Sequence, residues 1–186
     1  MKRFFDLFLG IIILIIISMP MIFIAIVIKL SSKGPVLYWS ERVGANNINF
    51  KMPKFRSMNV NTPIVATHLL ENPSQFVSPI GKFIRKTSLD ELPQIFSVLE
   101  GKMSLIGPRP ALFNQYDLIE LRNKNGLEKL IPGITGWAQV NGRDNLTNFE
   151  KVMLDLEYFN NKSLILDFKI LWMTVLKVAA AKEVKH

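Results

Sequence analysis

The sequence contains no cysteine and only two histidines, His68 and His186, in 186 residues. Without thiols there can be no disulfide, no cysteine nucleophile and no thiolate-bound metal. Two histidines argue against a histidine metal cage or a Ser-His pair, and His68, in a polar stretch, reads as a solvated side chain. A metal ion would have to be held by oxygen, which selects a hard cation such as Mg2+. Acidic groups are also scarce: 15 Asp and Glu against 23 Lys and Arg give a net charge of +8, with a pI of about 9.8. Such a balance suits an anionic membrane, a phosphorylated substrate or nucleic acid. The basic residues form no nucleic-acid recognition motif, so no nucleic-acid partner is expected. The length is that of one domain.

Charge is missing altogether from Leu7 to Ile28, LFLGIIILIIISMPMIFIAIVI. That matches the roughly 20 residues needed to cross the hydrocarbon core. The run exceeds a signal-peptide core and has no small-residue cleavage site, so it is expected to stay in the mature protein. Lys2 and Arg3 precede it; Lys29 and Lys33 follow it. Because positive flanks prefer the cytoplasmic side, both ends ask for the same face. Pro20 removes one helical hydrogen bond and clashes with the preceding turn. Two readings stay open on these residues: a kinked span, or a helix broken near Met19-Pro20 that enters and leaves by one face.

The remainder reads as mainly α with one small β-hairpin. Val36 to Ser40 and Ile48 to Met52 are β-prone and are separated by the turn-forming Gly44-Ala45-Asn46-Asn47. Asn59 to Pro79 reads as a loop with a short helix around Ala66 to Glu71. Helices are expected over Ile80 to Lys86, from Ser88–Asp90 to Leu99 with Gly101 as the stop, over Pro110 to Asn125, Asn148 to Asn160 and Ser163 to Lys182. In the last of these, Leu166, Ile170, Met173 and Val178 fall on one side. Its many large apolar residues, with Lys162, Lys169 and Lys177 interleaved, fit either a small core or the membrane interface.

The chemistry concentrates in Ser88-Leu89-Asp90-Glu91-Leu92-Pro93-Gln94 and in Gly107-Pro108-Arg109-Pro110. Adjacent carboxylates at a helix start can simply cap it: Asp90 as N-cap puts Pro93 at the third helical position, where its missing donor costs nothing, whereas Ser88 as N-cap makes Ser88 to Glu91 a capping box with Pro93 awkwardly late. The same position suits a reactive carboxylate, since a helix N-terminus favours negative charge and attracts phosphate. Asp90 is also the candidate metal ligand, because Mg2+ offsets the repulsion between a carboxylate and a diphosphate. Arg109, held beside Pro110 in a stiff loop, has the fork geometry for phosphate, and Arg85 lies just upstream of the carboxylates. Lys54 and Arg56 form another basic point. Pro132 to Arg143 is a glycine-rich loop in which Gln139, Asn141 and Arg143 can meet a nucleotide.

Lys54-Phe55-Arg56-Ser57-Met58, the Ser88–Gln94 motif, Met103 to Pro110 and Pro132 to Arg143 occur in the order and spacing of a known family. The sequence resembles the bacterial sugar transferases, the monotopic phosphoglycosyl transferases, from Lys2 to about Lys177, and in their minimal form. The resemblance implies a re-entrant membrane helix over residues 1–30 and, over 31–186, a compact cytoplasmic catalytic domain with interfacial helices. It implies the bacterial inner membrane, with the catalytic domain on the cytoplasmic face. The reaction implied moves a phosphosugar from a UDP-sugar to polyprenyl (undecaprenyl) phosphate and releases UMP, with Mg2+, as the first membrane step of surface-glycan or glycoconjugate synthesis. Asp90 matches the family's covalent nucleophile and Glu91 its second acid, to which assistance of the acceptor phosphate is assigned. Lys54, Arg56, Arg85, Arg109, Pro110, Gln139, Asn141 and Arg143 are the expected substrate-binding set; membrane lipid and downstream glycosyltransferases are the expected partners. The family's break falls at a Ser-Pro pair, whereas Ser18-Met19-Pro20 places methionine before the proline, so Ser18 would have to stabilise it. The competing reading is a non-catalytic, membrane-anchored scaffold for anionic lipid or glycan. Such a scaffold has no use for Asp90, Glu91 and Arg109 together.

Overall fold

The computed structural model describes residues 2–59, 62, 76–142 and 145–179. It is mostly helical. Helix α1, Lys2–Ser31, leads into the hairpin β1 (Leu37–Val43) and β2 (Asn49–Phe55). The pairing is antiparallel, with Leu37 opposite Phe55 and Val43 opposite Asn49. The turn closes with Asn46 and Asn47 at φ of 53° and 58°, left-handed values that asparagine tolerates better than most residues.

Then come α2 (Pro79–Lys86), a 3-10 turn at Leu89–Glu91, α3 (Gln94–Glu100) and strand β3 (Ser104–Ile106). Helix α4 (Tyr116–Lys124), strand β4 (Gly133–Thr135), α5 (Trp137–Asn141), α6 (Asn148–Asn161) and α7 (Leu164–Ala179) complete the chain. Helix α6 opens on a full capping box between Thr147 and Glu150.

Four expectations need correction. The helix foreseen from Ser88 to Leu99 is broken: Pro93 cannot donate in its interior, so a 3-10 turn precedes α3, whose N-cap is Pro93 itself. Gly101 does end it, at φ 88°. The helix foreseen from Pro110 begins only at Tyr116, because residues 110–112 are tied to the hairpin: Val43 N–H donates to the Ala111 carbonyl at 3.0 Å, and Arg42 bridges to Leu112. A second β element, β3 paired in parallel with β4, joins Ser104 to Gly133 and Ile106 to Thr135. Its three-residue strands are too short to show a period. The side of α7 on which Leu166, Ile170, Met173 and Val178 were placed together is not uniform: Ile170 is buried and Val178 is 64% exposed. The helix foreseen at 66–71 lies outside the described residues.

The main core joins Phe50 and Met52 of the hairpin, Ile95 and Val98 of α3, Leu105 and Ile106 of β3, and Ile170 of α7. Helix α1 is fastened to this domain at both ends. At its start, Lys2 donates to Asp167 (2.7 Å) and Tyr158 (2.9 Å), and Arg3 to the carbonyls of Val98 and Leu99. Asp6, buried, accepts from the Ser104 hydroxyl and the Leu105 amide, both at 3.0 Å. At its far end, Ile24 and Ile28 pack with Phe55 and Ile84. Between them Ile11, Ile12, Ile15, Ile16, Met19, Ile22 and Phe23 are exposed. The helix runs through Pro20, and the Ser18 hydroxyl donates to the Ile15 carbonyl at 2.8 Å in the turn before it.

Candidate active site

Neither carboxylate of the central motif caps a helix. Ser88 sits in the left-handed region at φ 57° and its side chain makes no cap bond. The capping box read from Ser88 to Glu91 is therefore not formed, and Asp90 lies in a 3-10 turn that Leu92 and Pro93 separate from α3. The helix dipole expected to keep Asp90 ionised is accordingly not what controls it.

Glu91 is instead the centre of a charge cluster. Lys54, brought by β2, donates to Oε1 at 2.8 Å, and Arg109 donates to Oε1 at 2.6 Å and to Oε2 at 3.3 Å. Burial alone would raise the Glu91 carboxyl, but the charges of Arg109 and Lys54 and their hydrogen bonds outweigh it and hold it well below the carboxylate range. Lys54 is lowered by burial, against the pull of Glu91. Arg42 lies at the same edge, lowered to about 10 by burial and then by Arg109, and so still charged at neutral pH.

Asp90 differs from its neighbour. It is buried, and burial raises its carboxyl; Lys54 opposes this rise, Glu91 adds to it, and Arg85 and Arg109 oppose it. No described residue donates a hydrogen bond to its side chain, so its oxygens are available while both of Glu91's are engaged.

Arg109 is presented by a loop fixed through its main chain. Gly133 N–H donates to the Pro108 carbonyl (2.9 Å), Arg122 to that of Arg109 (2.9 Å) and Arg42 to that of Pro110 (3.1 Å). The β3–β4 pair sets this loop against the 132–143 segment. Gly136 has to be glycine there, because a Cβ would collide with the Gly107 carbonyl and press on Gln139 Oε1. Both polar atoms of the Gln139 amide are buried beside that loop with no partner among the described residues, as are Trp137 Nε1 and Gln94 Nε2.

The structure thus brings Lys54, Asp90, Glu91 and Arg109 together, with Arg85 near enough to act on Asp90 electrostatically and Pro110 buried at the loop's base. Gln139 lies beneath the loop. Two of the expected binding residues are engaged elsewhere. The buried Arg56 donates to the carbonyls of Lys33 (2.9 Å) and Ser32 (3.1 Å) and to the Ser32 hydroxyl (2.7 Å), tying β2 to the exit of α1. The exposed Asn141 donates back to the Trp137 carbonyl of its own helix. Arg143 lies outside the described residues. Arg42, Arg122 and Asp155 were missed from sequence, since each belongs to no local motif and meets the site only through long-range pairing.

Among the described residues no cluster of three acidic or histidine side chains is placed to hold a metal. One available carboxylate, Asp90, remains. That fits a Mg2+ ion arriving with a diphosphate, since such ions keep water and substrate oxygens as most of their ligands.

A family model described as bacterial sugar transferase matches residues 1–181. The "UDP-glucose:undecaprenyl-phosphate glucose-1-phosphate transferase" of Escherichia coli K12 is 45% identical over 95% of this chain and 40% of its own length. The "UDP-N-acetylgalactosamine-undecaprenyl-phosphate N-acetylgalactosaminephosphotransferase" of Aeromonas hydrophila is 38% identical over 94% of this chain and 42% of its own. The "uncharacterized sugar transferase EpsL" of Bacillus subtilis is 37% identical over 100% of this chain and 91% of its own. The chain therefore spans about 35–41% of the length of the first three relatives it matches and most of the length of EpsL.

Proposed function

The chain belongs to the bacterial sugar transferase family, and from that premise we propose that it transfers a phosphosugar from a UDP-sugar to polyprenyl phosphate through an Asp90-bound intermediate. The observation that carries this reading is the contrast within the pair: Glu91 is saturated by Lys54 and Arg109, and Asp90 beside it has open oxygens. An Asp90 oxygen attacks the sugar-bearing phosphorus. The bond from that phosphorus to the bridging oxygen breaks, and UMP leaves with the electron pair. An oxygen of polyprenyl phosphate then attacks the same phosphorus and displaces Asp90, which is restored. Splitting one displacement into two is the usual benefit of a covalent nucleophile.

Arg109, half-exposed and anchored on Glu91, meets the diphosphate with its fork. Lys54 and Arg85 favour the ionised form of Asp90. Mg2+, held by Asp90 and the substrate's phosphates, would supply charge neutralisation between carboxylate and diphosphate. The test is UMP release across a panel of UDP-sugars with undecaprenyl phosphate, with and without chelator. We expect release with at least one donor, lost on chelation and restored by Mg2+. No release with any donor overturns the reading, and indifference to chelator removes the metal.

The membrane arrangement belongs to the same proposal. A spanning helix has one end on each face, whereas here Lys2 and Ser32 are both bonded to one domain. We read α1 as entering and leaving the bacterial inner membrane by the cytoplasmic face, its exposed apolar middle in lipid. On α7, Ile165, Phe168, Trp172 and Val175 form an exposed stripe at helical spacing, suited to the interface beside it. Its other side, through Ile170, fills the core, so one helix serves both roles. Because the chain has no native cysteine, a cysteine placed directly before Lys2 and one at Lys33→Cys can be labelled cleanly with an impermeant maleimide. Both should label in inside-out vesicles and neither in right-side-out cells; labelling from opposite faces would mean a true span.

A further inference from the structure

Arg109 is held twice, by its side chain on Glu91 and by its main chain on a residue that no motif singles out. Arg122, on α4, donates its Nη1 to the Arg109 carbonyl at 2.9 Å. Its remaining fork is closed by Asp155 of α6: Nε and Nη2 reach one carboxylate oxygen at 3.1 and 2.8 Å. Asp155 is fully buried and Arg122 nearly so. Burial raises the Asp155 carboxyl, and Arg122 is the first charge that opposes the rise.

The residues flanking Arg109 in the loop are buried, while Arg109 itself is only partly so. A cavity lies behind the loop, lined by Pro108, Ala111 and Pro132 of the loop region and by Arg122, Asn123 and Leu130 on the other side. Main-chain bonds act together with the buried Pro108, Pro110 and Ala111 in setting the loop's position. Those to Pro108 and Ala111 come from backbone amides of β4 and of the strand β1, which any sequence would supply. The bond to Arg109 itself depends on one side chain.

We propose that Arg122, held by Asp155, is a positioning residue that sets Arg109 against Glu91 and the substrate's phosphates. The proposal rests on the transferase reading for what Arg109 meets. Its physical basis is independent of it: the planar guanidinium puts two N–H groups on Asp155 of α6 and a third on a loop carbonyl in one fixed geometry, which the flexible, single-point ammonium of lysine does not reproduce. A shift of about 1 Å at a catalytic group costs on the order of 100-fold in rate, so a modest slackening of the loop is measurable.

The test is a double-mutant cycle between Arg122→Lys and Arg109→Gln. Lysine keeps a charge for Asp155, and thermal melting checks that the fold is kept. Should Arg122→Lys not fold, Arg122→Gln with Asp155→Asn removes both charges together and takes its place. We expect Arg122→Lys to lower kcat/KM for UMP release by about 10-fold, and by no more than about 2-fold when Arg109 is already Gln. Losses that simply multiply, or a change under about 2-fold in the single variant, overturn the proposal. The same cycle is run on the calorimetric Kd for UDP, which needs no turnover. There, weakening by Arg122→Lys that vanishes in the Arg109→Gln background supports the strut, and its persistence overturns it. Failure of the wild type to release UMP would overturn the transferase reading alone, leaving the UDP cycle to decide this one.

Discussion

Asp90→Asn should abolish UMP release, by about 10⁴-fold or more, while the protein still inserts, folds and melts no lower than wild type. The amide has the shape of the carboxylate but no nucleophilic oxygen. The stability half of the expectation follows from the sign of the shift. Folding raises the Asp90 carboxyl, through burial first. An acid raised on folding is stabilised protonated, and its penalty grows as pH climbs from the unfolded pKa to the folded one and is complete above it. A neutral amide removes that penalty, so the melting temperature should be unchanged or higher at neutral pH. A reactive group that costs stability is common at sites built for chemistry. The same variant should also lose the burst of UMP that wild type gives with donor alone, since no acceptor is needed to load Asp90. Substantial residual UMP release from Asp90→Asn would falsify the nucleophile assignment; a burst missing from wild type itself would point to direct transfer between the two substrates.

Glu91→Gln should harm both activity and stability. Glu91 is the common acceptor of Lys54 and Arg109, and Arg42 adds a third cation to the same edge. Removing the anion that both cations bond leaves them facing one another, with the Asp90 carboxyl as the nearby acid. Breaking a largely buried pair from one side costs about 3 kcal/mol, which for a chain of this size lowers the melting temperature by about 6–12 °C. Here the sign is opposite to that for Asp90. Folding depresses the Glu91 carboxyl, so its contribution is present above the unfolded pKa and is lost as pH falls through the folded one. The gap in melting temperature between wild type and Glu91→Gln should therefore be full at neutral pH and should close only well below the ordinary carboxylate range. Activity should fall by about 100-fold, because Arg109 loses the partner that fixes its fork. A variant that melts like wild type would show that Lys54 and Arg109 have other partners of equal strength, and would sink the view of Glu91 as the organiser of the site.

These two neighbours illustrate how far the sequence reached. Its motif located both acids, and Lys54 and Arg109 with them, but assigned them to the wrong local geometry. A capping box is a pattern of residue types, and Ser88 to Glu91 has it; the left-handed Ser88 and the demand of Pro93 for a break are decided by how α2, the turn and α3 fit together. Arg56 shows the converse. Two residues after Lys54 on a strand, it shares its face by the period of 2, and the sequence grouped both as substrate contacts. The strand ends between them, and Arg56 turns to the exit of α1.

The hairpin was legible because its strands are long enough to alternate and its Gly-Ala-Asn-Asn turn has one use. The β3–β4 pair was not legible, since its two strands gain their partners only across 29 residues and show no period of their own. Yet that pair is what sets Gly107, at the head of the Arg109 loop, against Gly136. The apolar run of α1 was plain from composition, but its flanking charges were read as signals to the lipid. In the fold, Lys2 and Arg3 are also bonded to the domain, as is Asp6 beside them. By itself, then, the sequence determined the long apolar segment, the family and the candidate acids, because each is carried by local composition or by contiguous motifs. The division of labour between Asp90 and Glu91, the hold of Asp155 and Arg122 on Arg109, and the fastening of α1 at both ends were decided only by tertiary structure. All three depend on groups far apart in the chain, whose charge and hydrogen bonds acquire their strength only when folding removes them from water.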